Sequence, residues 1–284
     1  MTRAFCPGHI TCFFSPVVTD DPITTGSVGA GIRLNKGVLV TIEERTDRTV
    51  SVTADGKRTE TKLFQDVIGT LAPGRGFDVT VDNQLPVSQG MGMSAAGAVA
   101  AGLCASVFSE KNEFDAYKAA HIAELRNKSG MGDVAGILGG RQPIRVSAGL
   151  PPFGRTIDTG LRMNVTIAVL GPKISTDTVL SNGEVMRKIS AAGKECVNSY
   201  LNIRTERALY ELSSRFSSSV GLETAEIKDA LSLLRKDHGA SMCMLGNSIF
   251  TNASEKTAIE VLGADAHVIS CSSGAEGPKI IRRA

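Results

Sequence analysis

Leu85-Pro-Val-Ser-Gln-Gly-Met-Gly-Met-Ser-Ala-Ala-Gly97 lies between a strand-like run and a long stretch of small and apolar residues. The run before it carries Phe77, Val79 and Val81 at alternating positions, and the stretch from Ala95 to Phe108 predicts a buried helix. Gly90 and Gly92 leave backbone amides open and can adopt positive φ with no Cβ to obstruct it. A helix that starts directly after them presents unpaired N–H groups and a partial positive charge, which suits a phosphate. The loop is not the common nucleotide P-loop, which needs a Gly-Lys-Ser/Thr run. It also matches the dinucleotide fingerprint poorly. Spacing alone leaves a second reading open, a glycine-rich connection that only packs a helix tightly on a sheet.

Composition bounds the class. The chain has 284 residues, enough for one large or two modest domains, with 42% hydrophobic and 21% charged residues. A net charge of +2 without a basic–aromatic stripe gives no reason to expect nucleic acid. The basic tail Lys279-Ile-Ile-Arg-Arg283 is short and reads as an edge strand. There is no apolar span of membrane length and no leader-like N-terminus, so a cytoplasmic protein without a membrane partner is expected. Six cysteines are scattered without Cys-x-x-Cys pairs, so reduced, buried thiols are expected rather than a zinc site or a disulfide framework.

The pattern of elements is α+β. Strands are expected near Arg3–Cys6, 26–31, 38–43, 49–53 and 76–81. A second helix over about Glu113–Asn127 places Phe114, Tyr117, His121 and Leu125 on one face, and Ser129-Gly-Met-Gly132 breaks it. Strands near Ile144–Ser147 and Thr156–Asp158 close a first half. The second half opens on the apolar strand Val165–Leu170. A helical region from about Ser181 to Phe216, broken near Asn198–Ile203, and another over Ala225–Lys236 precede short strands near Ile249, Ala266–Ser270 and Lys279–Arg282.

Three residues carry the chemistry that a phosphate loop needs around it. Phosphoryl transfer requires a divalent metal held by oxygen ligands and a group that orients the attacking hydroxyl. Ser94 stands at the start of the predicted helix, Glu124 on the second helix, and Asp133 after a glycine turn. A hydroxyl with one carboxylate is the sparse set that Mg²⁺ accepts when phosphates and water complete its octahedron. Each residue also has an ordinary reading: a helix cap for Ser94 and Asp133, a solvated helix carboxylate for Glu124.

Taken together, these segments resemble the GHMP kinase superfamily, which includes galactokinase, homoserine kinase and mevalonate kinase. Leu85-Pro-x-x-x-Gly90-Met-Gly92-Met-Ser94-Ala-Ala is similar to its second motif, Pro-x-x-x-Gly-Leu-Gly-Ser-Ser-Ala. Cys6-Pro-Gly-His9-Ile resembles the first motif, and Ser241-Met-Cys-Met-Leu-Gly246-Asn-Ser248-Ile-Phe the third. Ser129-Gly-Met-Gly132-Asp133-Val with Gly139-Gly140 resembles the segment that carries the catalytic Asp. The resemblance implies a two-domain fold: an N-terminal ribosomal protein S5 domain 2-like domain over 1–155 and a C-terminal ferredoxin-like α/β sandwich over 156–284. It implies ATP and Mg²⁺ as cofactors, with Pro86, Gly90, Met91, Gly92, Met93, Ser94, Ala95 and Ala96 at the nucleotide. Ser94 and Glu124 would ligate the metal, and Asp133 would be the catalytic residue. Met93 replaces the first Ser of the usual pair, the third motif is poor in glycine, and His9 stands where many members place Lys or Arg.

Within the superfamily the pattern resembles the archaeal pantoate kinase group, carried by Pro7-Gly-His-Ile-Thr-Cys-Phe-Phe14, Gly26-Ser-Val-Gly-Ala-Gly31, His121-x-x-Glu124, Gly130-Met-Gly-Asp133 and Gly149-Leu-Pro-Pro-Phe-Gly154. This implies phosphorylation of the primary hydroxyl of (R)-pantoate to (R)-4-phosphopantoate on the route to coenzyme A. For that substrate Arg145 offers a two-pronged contact to the carboxylate, with His121 and Ser27 as further donors. Arg33, Arg141 and Arg155 compete for the carboxylate, and His9 reads as structural. A shikimate or homoserine kinase, or a catalytically silent metabolite-binding relative, shares many of these residues. The oligomeric state stays open, with a homodimer among the expectations.

Overall fold

The computed structural model describes residues 1–173 and 183–283. Strands β1 (Thr2–Val17) and β2 (Gly26–Arg45) form a long antiparallel ribbon, paired from Thr2↔Ile42 to Val17↔Gly26. Two register shifts, between Pro7 and His9 and between Thr11 and Phe13, re-aim the side chains of β1 where it meets the cleft described below. The expected strands at 26–31 and 38–43 are one element. Gly37 stays in the ladder opposite Pro7, and its N–H donates to Gln84 Oε1 at 2.9 Å, so Lys36-Gly37 does not break it.

The first sheet runs β12-β1-β2-β5-β3-β4, where β12 is Lys279–Arg282, with β6 (Pro143–Ser147) paired to β2 and β7 (Arg155–Asp158) to β6. Among the described residues only β3 (Val50–Ala54) and β5 (Gly76–Asn83) pair in parallel; β4 is Lys57–Thr59. Helix α1 (Lys62–Leu71) goes beyond the expected elements: Leu63, Phe64, Val67, Ile68 and Leu71 bury one face of it. Helix α2 (Met93–Val107) is buried nearly all round, as its Ala-rich sequence predicts.

Helix α3 (Glu113–Arg126) starts at a reciprocal cap in which Asn112 and Asp115 each accept the other's backbone N–H. Its buried face is built mainly from small residues. Ala116, Ala119, Ala120 and Ala123 are buried, whereas Phe114 is exposed and Tyr117 and Leu125 are only partly covered. The small residues let α3 lie close to Gly102 of α2, and His121 and Glu124 on α3 are buried as well. The short helix α4 (Asp133–Leu138) follows the glycine break.

The second sheet is antiparallel, ordered β11-β8-β10-β9, from β8 (Asn164–Val169), β9 (Ala240–Met242), β10 (Ser248–Thr251) and β11 (His267–Ser272). Helices α5 (Gly183–Ile203), α6 (Glu206–Val220), α7 (Ala225–Leu234) and α8 (Glu255–Leu262) accompany it. The start of the expected helical region, Ser181 and Asn182, lies outside the described residues. Its break falls later than expected, at Arg204-Thr205, where Thr205 accepts the N–H of Ala208 and caps α6. Finally β12 (Lys279–Arg282) crosses back and pairs with β1. We propose that the division between the two units falls after Asp158 rather than after Arg155, because all of β7 pairs within the first sheet, with β12 as a late contribution to that sheet.

Candidate active site

The glycine loop enters α2 through a left-handed residue. Gly92, the N-cap, has φ 60°, Gly90 has φ 77°, and no side chain caps the helix. A Cβ on Gly90 would stand 2.6 Å from the Cys243 carbonyl oxygen. Both positions therefore require glycine. The amides of Met93, Ser94 and Ala95 lie in the first turn, where no intrahelical carbonyl reaches them. Ala96 differs from the expectation, since its N–H already donates to Gly92 O at 3.0 Å.

The loop is clamped from two sides. His9 N–H donates to Met91 O at 2.9 Å. From the β9–β10 turn, Ser248 Oγ donates to Gln89 O at 2.6 Å and Asn247 N–H to Gln89 Oε1 at 3.0 Å. The first and third sequence motifs thus act as supports of the second. The third motif keeps its turn without further glycines because Leu245 itself takes φ 64°.

A cleft of about 310 Å³ opens on this loop. Of the residues expected at the nucleotide, Gly90, Met91, Gly92, Met93 and Ser94 line it, while Pro86, Ala95 and Ala96 do not. Asp133, Ser27 and Arg145 line it as well. Glu124 lies just beneath the lining, 2% exposed, and its Oε1 accepts from Ser129 Oγ at 3.1 Å. Burial first, then the negative charge of Asp133, push the Glu124 carboxyl up to about 8, against the Ser129 hydrogen bond. A buried carboxyl beneath a cleft that a helix-start hydroxyl, Ser94, also lines is a donor set that suits a divalent ion with phosphate oxygens.

Asp133 is held differently. His9 Nδ1 lies 2.9 Å from Asp133 Oδ1, and Thr11 Oγ1 donates to the same oxygen at 3.3 Å. Burial pushes the Asp133 carboxyl up, but the hydrogen bond from His9, the positive charge of Arg145 and the hydrogen bond from Thr11 outweigh it and hold it below the usual range. Asp133 is therefore ionised where Glu124 resists ionisation. Two neighbouring carboxyls pushed in opposite directions are a common sign of divided roles.

Arg145, on β6, is 1% exposed. Its Nε donates to Ser27 O at 3.3 Å, while both terminal nitrogens are buried without a hydrogen-bond partner. The competing arginines are otherwise occupied or remote. Arg33 donates to Gly274 O, Ile137 O and Ala275 O, Arg141 donates to Ser273 O, and Arg155 is exposed. His121 does not line the cleft. Its Nε2 lies 3.0 Å from the carbonyls of both Pro22 and Thr25, so it fastens the 22–25 turn that leads into Ser27. His9 and Thr11 are the residues that sequence reasoning passed over. Their alternation in Pro-Gly-His-Ile-Thr is the signal that puts both on one face.

Comparison with known proteins identifies the family. A family model for the GHMP kinases N terminal domain matches residues 59–141. A pantoate kinase of Thermococcus kodakarensis is 32% identical, with 88% of this chain and 87% of the relative covered. A pantoate kinase of Methanospirillum hungatei is 33% identical, with 98% and 96% covered. This chain belongs to the pantoate kinase family of GHMP kinases. A solved phosphotransferase related to the CoA biosynthesis pathway superposes with a TM-score of 0.90 at 27% identity, covering 99% of this chain and 98% of that one. A mevalonate kinase, at 13% identity and a TM-score of 0.68 over 97% and 100% of the two chains, shares the fold. The family's α+β architecture of two helix-layered sheets is the one described above, and no described helix is long and apolar enough to cross a membrane.

Proposed function

We propose that the protein transfers the γ-phosphoryl group of ATP to the primary hydroxyl of (R)-pantoate, giving (R)-4-phosphopantoate for coenzyme A synthesis in the cytoplasm. The observation that carries the substrate half of this reading is Arg145, a buried guanidinium at the cleft whose two terminal nitrogens lack partners. Leaving such donors unsatisfied is costly, and a carboxylate matches their fork geometry. Phe14, Met131 and Met244 supply the cleft with an apolar wall for pantoate's two methyl groups, and Ser27 a hydroxyl beside Arg145.

The loop amides from Gly90 to Ala95 receive the phosphates. Ser94 and Glu124 would hold Mg²⁺, and the chemistry it would supply there is neutralisation of charge on the phosphate oxygens. Asp133 orients the substrate hydroxyl and accepts its proton as the γ-phosphoryl group is transferred in line. Because the transition state is loose, alignment counts for more than full deprotonation, which suits a carboxylate held below its usual range. The test is an ADP-release assay of the protein with Mg-ATP and pantoate, shikimate, homoserine or mevalonate in turn. Turnover of pantoate alone is expected. Preference for another acceptor would overturn the substrate, and nucleotide binding without turnover of any acceptor would overturn the activity.

A further inference from the structure

His9 is fully buried on β1, in the place where a cation would suit an ion pair with Asp133. Its surroundings argue against a cation. Burial comes first in lowering its pKa, and the charges of Arg145 on β6 and Arg33 on β2 act in the same direction, against the attraction of Asp133 on α4. A neutral imidazole carries one proton, and only Nδ1 has an acceptor to give it to. Nε2 is buried without a partner, wedged between backbone at Gly31 and Gly136; a Cβ on Gly136 would stand 2.5 Å from Nε2 and 2.9 Å from Arg145 NH1. Those two glycines fix the ring's position and leave no route by which Nε2 could pass a proton to solvent.

The carboxylate is held asymmetrically. His9 and Thr11, two residues apart on one strand, both donate to Oδ1, while Oδ2 takes no hydrogen bond from any described residue. We propose that His9 is a positioning residue: a neutral, Nδ1-protonated imidazole that, with Thr11, occupies Oδ1 of Asp133 and leaves Oδ2 as the oxygen that meets the substrate hydroxyl. His9 is thus a fixed donor and not a relay. The proton taken by Asp133 remains on Oδ2 and leaves through the cleft. This rests on the phosphoryl-transfer role given to Asp133.

The test compares His9→Asn with His9→Leu. An Asn side-chain amide can place its NH₂ where Nδ1 stands, whereas Leu fills the space without a donor. His9→Leu should lower kcat about 30-fold or more, with KM for ATP and the acceptor within about twofold, and its acid limb of kcat should move to higher pH. His9→Asn should recover most of that kcat, and Thr11→Val should lose only a few-fold. Equal losses in the Asn and Leu variants, or a loss expressed mainly in KM, would overturn the proposal. Long-range ¹H–¹⁵N spectra of the wild-type imidazoles, with His9→Asn to assign the signal, provide a measurement that needs no turnover. An Nδ1–H pattern at neutral pH is expected, and an Nε2–H or imidazolium pattern would overturn the proposal even if His9→Leu failed to fold. A wild type inactive on pantoate but showing the Nδ1–H pattern would count against the substrate and leave the His9 assignment standing.

Discussion

Replacing Arg145 by Met should separate folding from function. The guanidinium is 1% exposed and makes one protein hydrogen bond, Nε to Ser27 O at 3.3 Å. NH1 and NH2 are buried and unpaired, and burial leads the lowering of the group's pKa, opposed by Asp133. Each buried, unsatisfied donor costs about 1–3 kcal/mol, so removing two should return more than the roughly 1 kcal/mol lost with the Ser27 bond. Part of that return is offset because Asp133 loses a nearby positive charge. The net expectation is a ligand-free protein as stable as wild type or about 1 kcal/mol more stable, a rise in Tm of about 2–4 °C. Binding should respond in the opposite direction. Two charge-assisted hydrogen bonds to a carboxylate are together worth about 3–6 kcal/mol, so KM for pantoate should rise about a hundredfold or more while that for ATP barely moves. Differential scanning calorimetry without ligands and an ADP-release assay give the two numbers. A Tm lower by several degrees with an unchanged KM for pantoate would make Arg145 a structural cation and refute the argument.

Other expectations follow from the same geometry. Asp133→Asn should remove most turnover, at least about a hundredfold in kcat, while ATP affinity measured by calorimetry stays within a few-fold. Ser94→Ala and Glu124→Gln should each raise the Mg²⁺ concentration needed for half-maximal rate, and unchanged metal titrations in both would place the ligands elsewhere. Glu124, raised to about 8, binds its proton more tightly folded than unfolded. Its contribution is therefore complete at about pH 4 and is lost as pH rises towards 8. The ligand-free protein should lose Tm over that range, and Glu124→Gln should flatten the loss in a melting series. Gly92→Ala must adopt φ near 60° and bring its Cβ 3.0 Å from the His9 carbonyl oxygen, costing about 1–2 kcal/mol and raising KM for ATP above that for pantoate.

The phosphate loop, its helix and the glycine break before Asp133 were legible because glycine, small residues and periodicity mark them directly. The pairing of His9 with Asp133, 124 positions apart, was not. It depends on β1 passing beneath α4, which no local pattern encodes. The buried face of α3 was illegible for a similar reason. Alanines carry a weak hydrophobic signal, so the helical spacing of Phe114 and Tyr117 stands out in the sequence, whereas close helix packing selects the small residues. His121 looked like a ligand because of its spacing to Glu124. In the fold that spacing joins a structural fastener to the candidate metal site on one helix.

The return of β12 to β1 affects how the molecule can be made and divided. The strand that carries His9 and Thr11 gains its outer neighbour from residues 279–282, and Arg33 anchors its guanidinium on the carbonyls of Gly274 and Ala275. A growing chain released after residue 158 would therefore hold every residue of the candidate site except Met244 and Leu245, yet lack the border of the sheet that supports it. Limited proteolysis in the connection near 160 should accordingly leave two fragments that stay associated and lose activity together on separation. The first sheet is thus completed by a strand that lies beyond the whole second sheet in the chain, so the two units share one border.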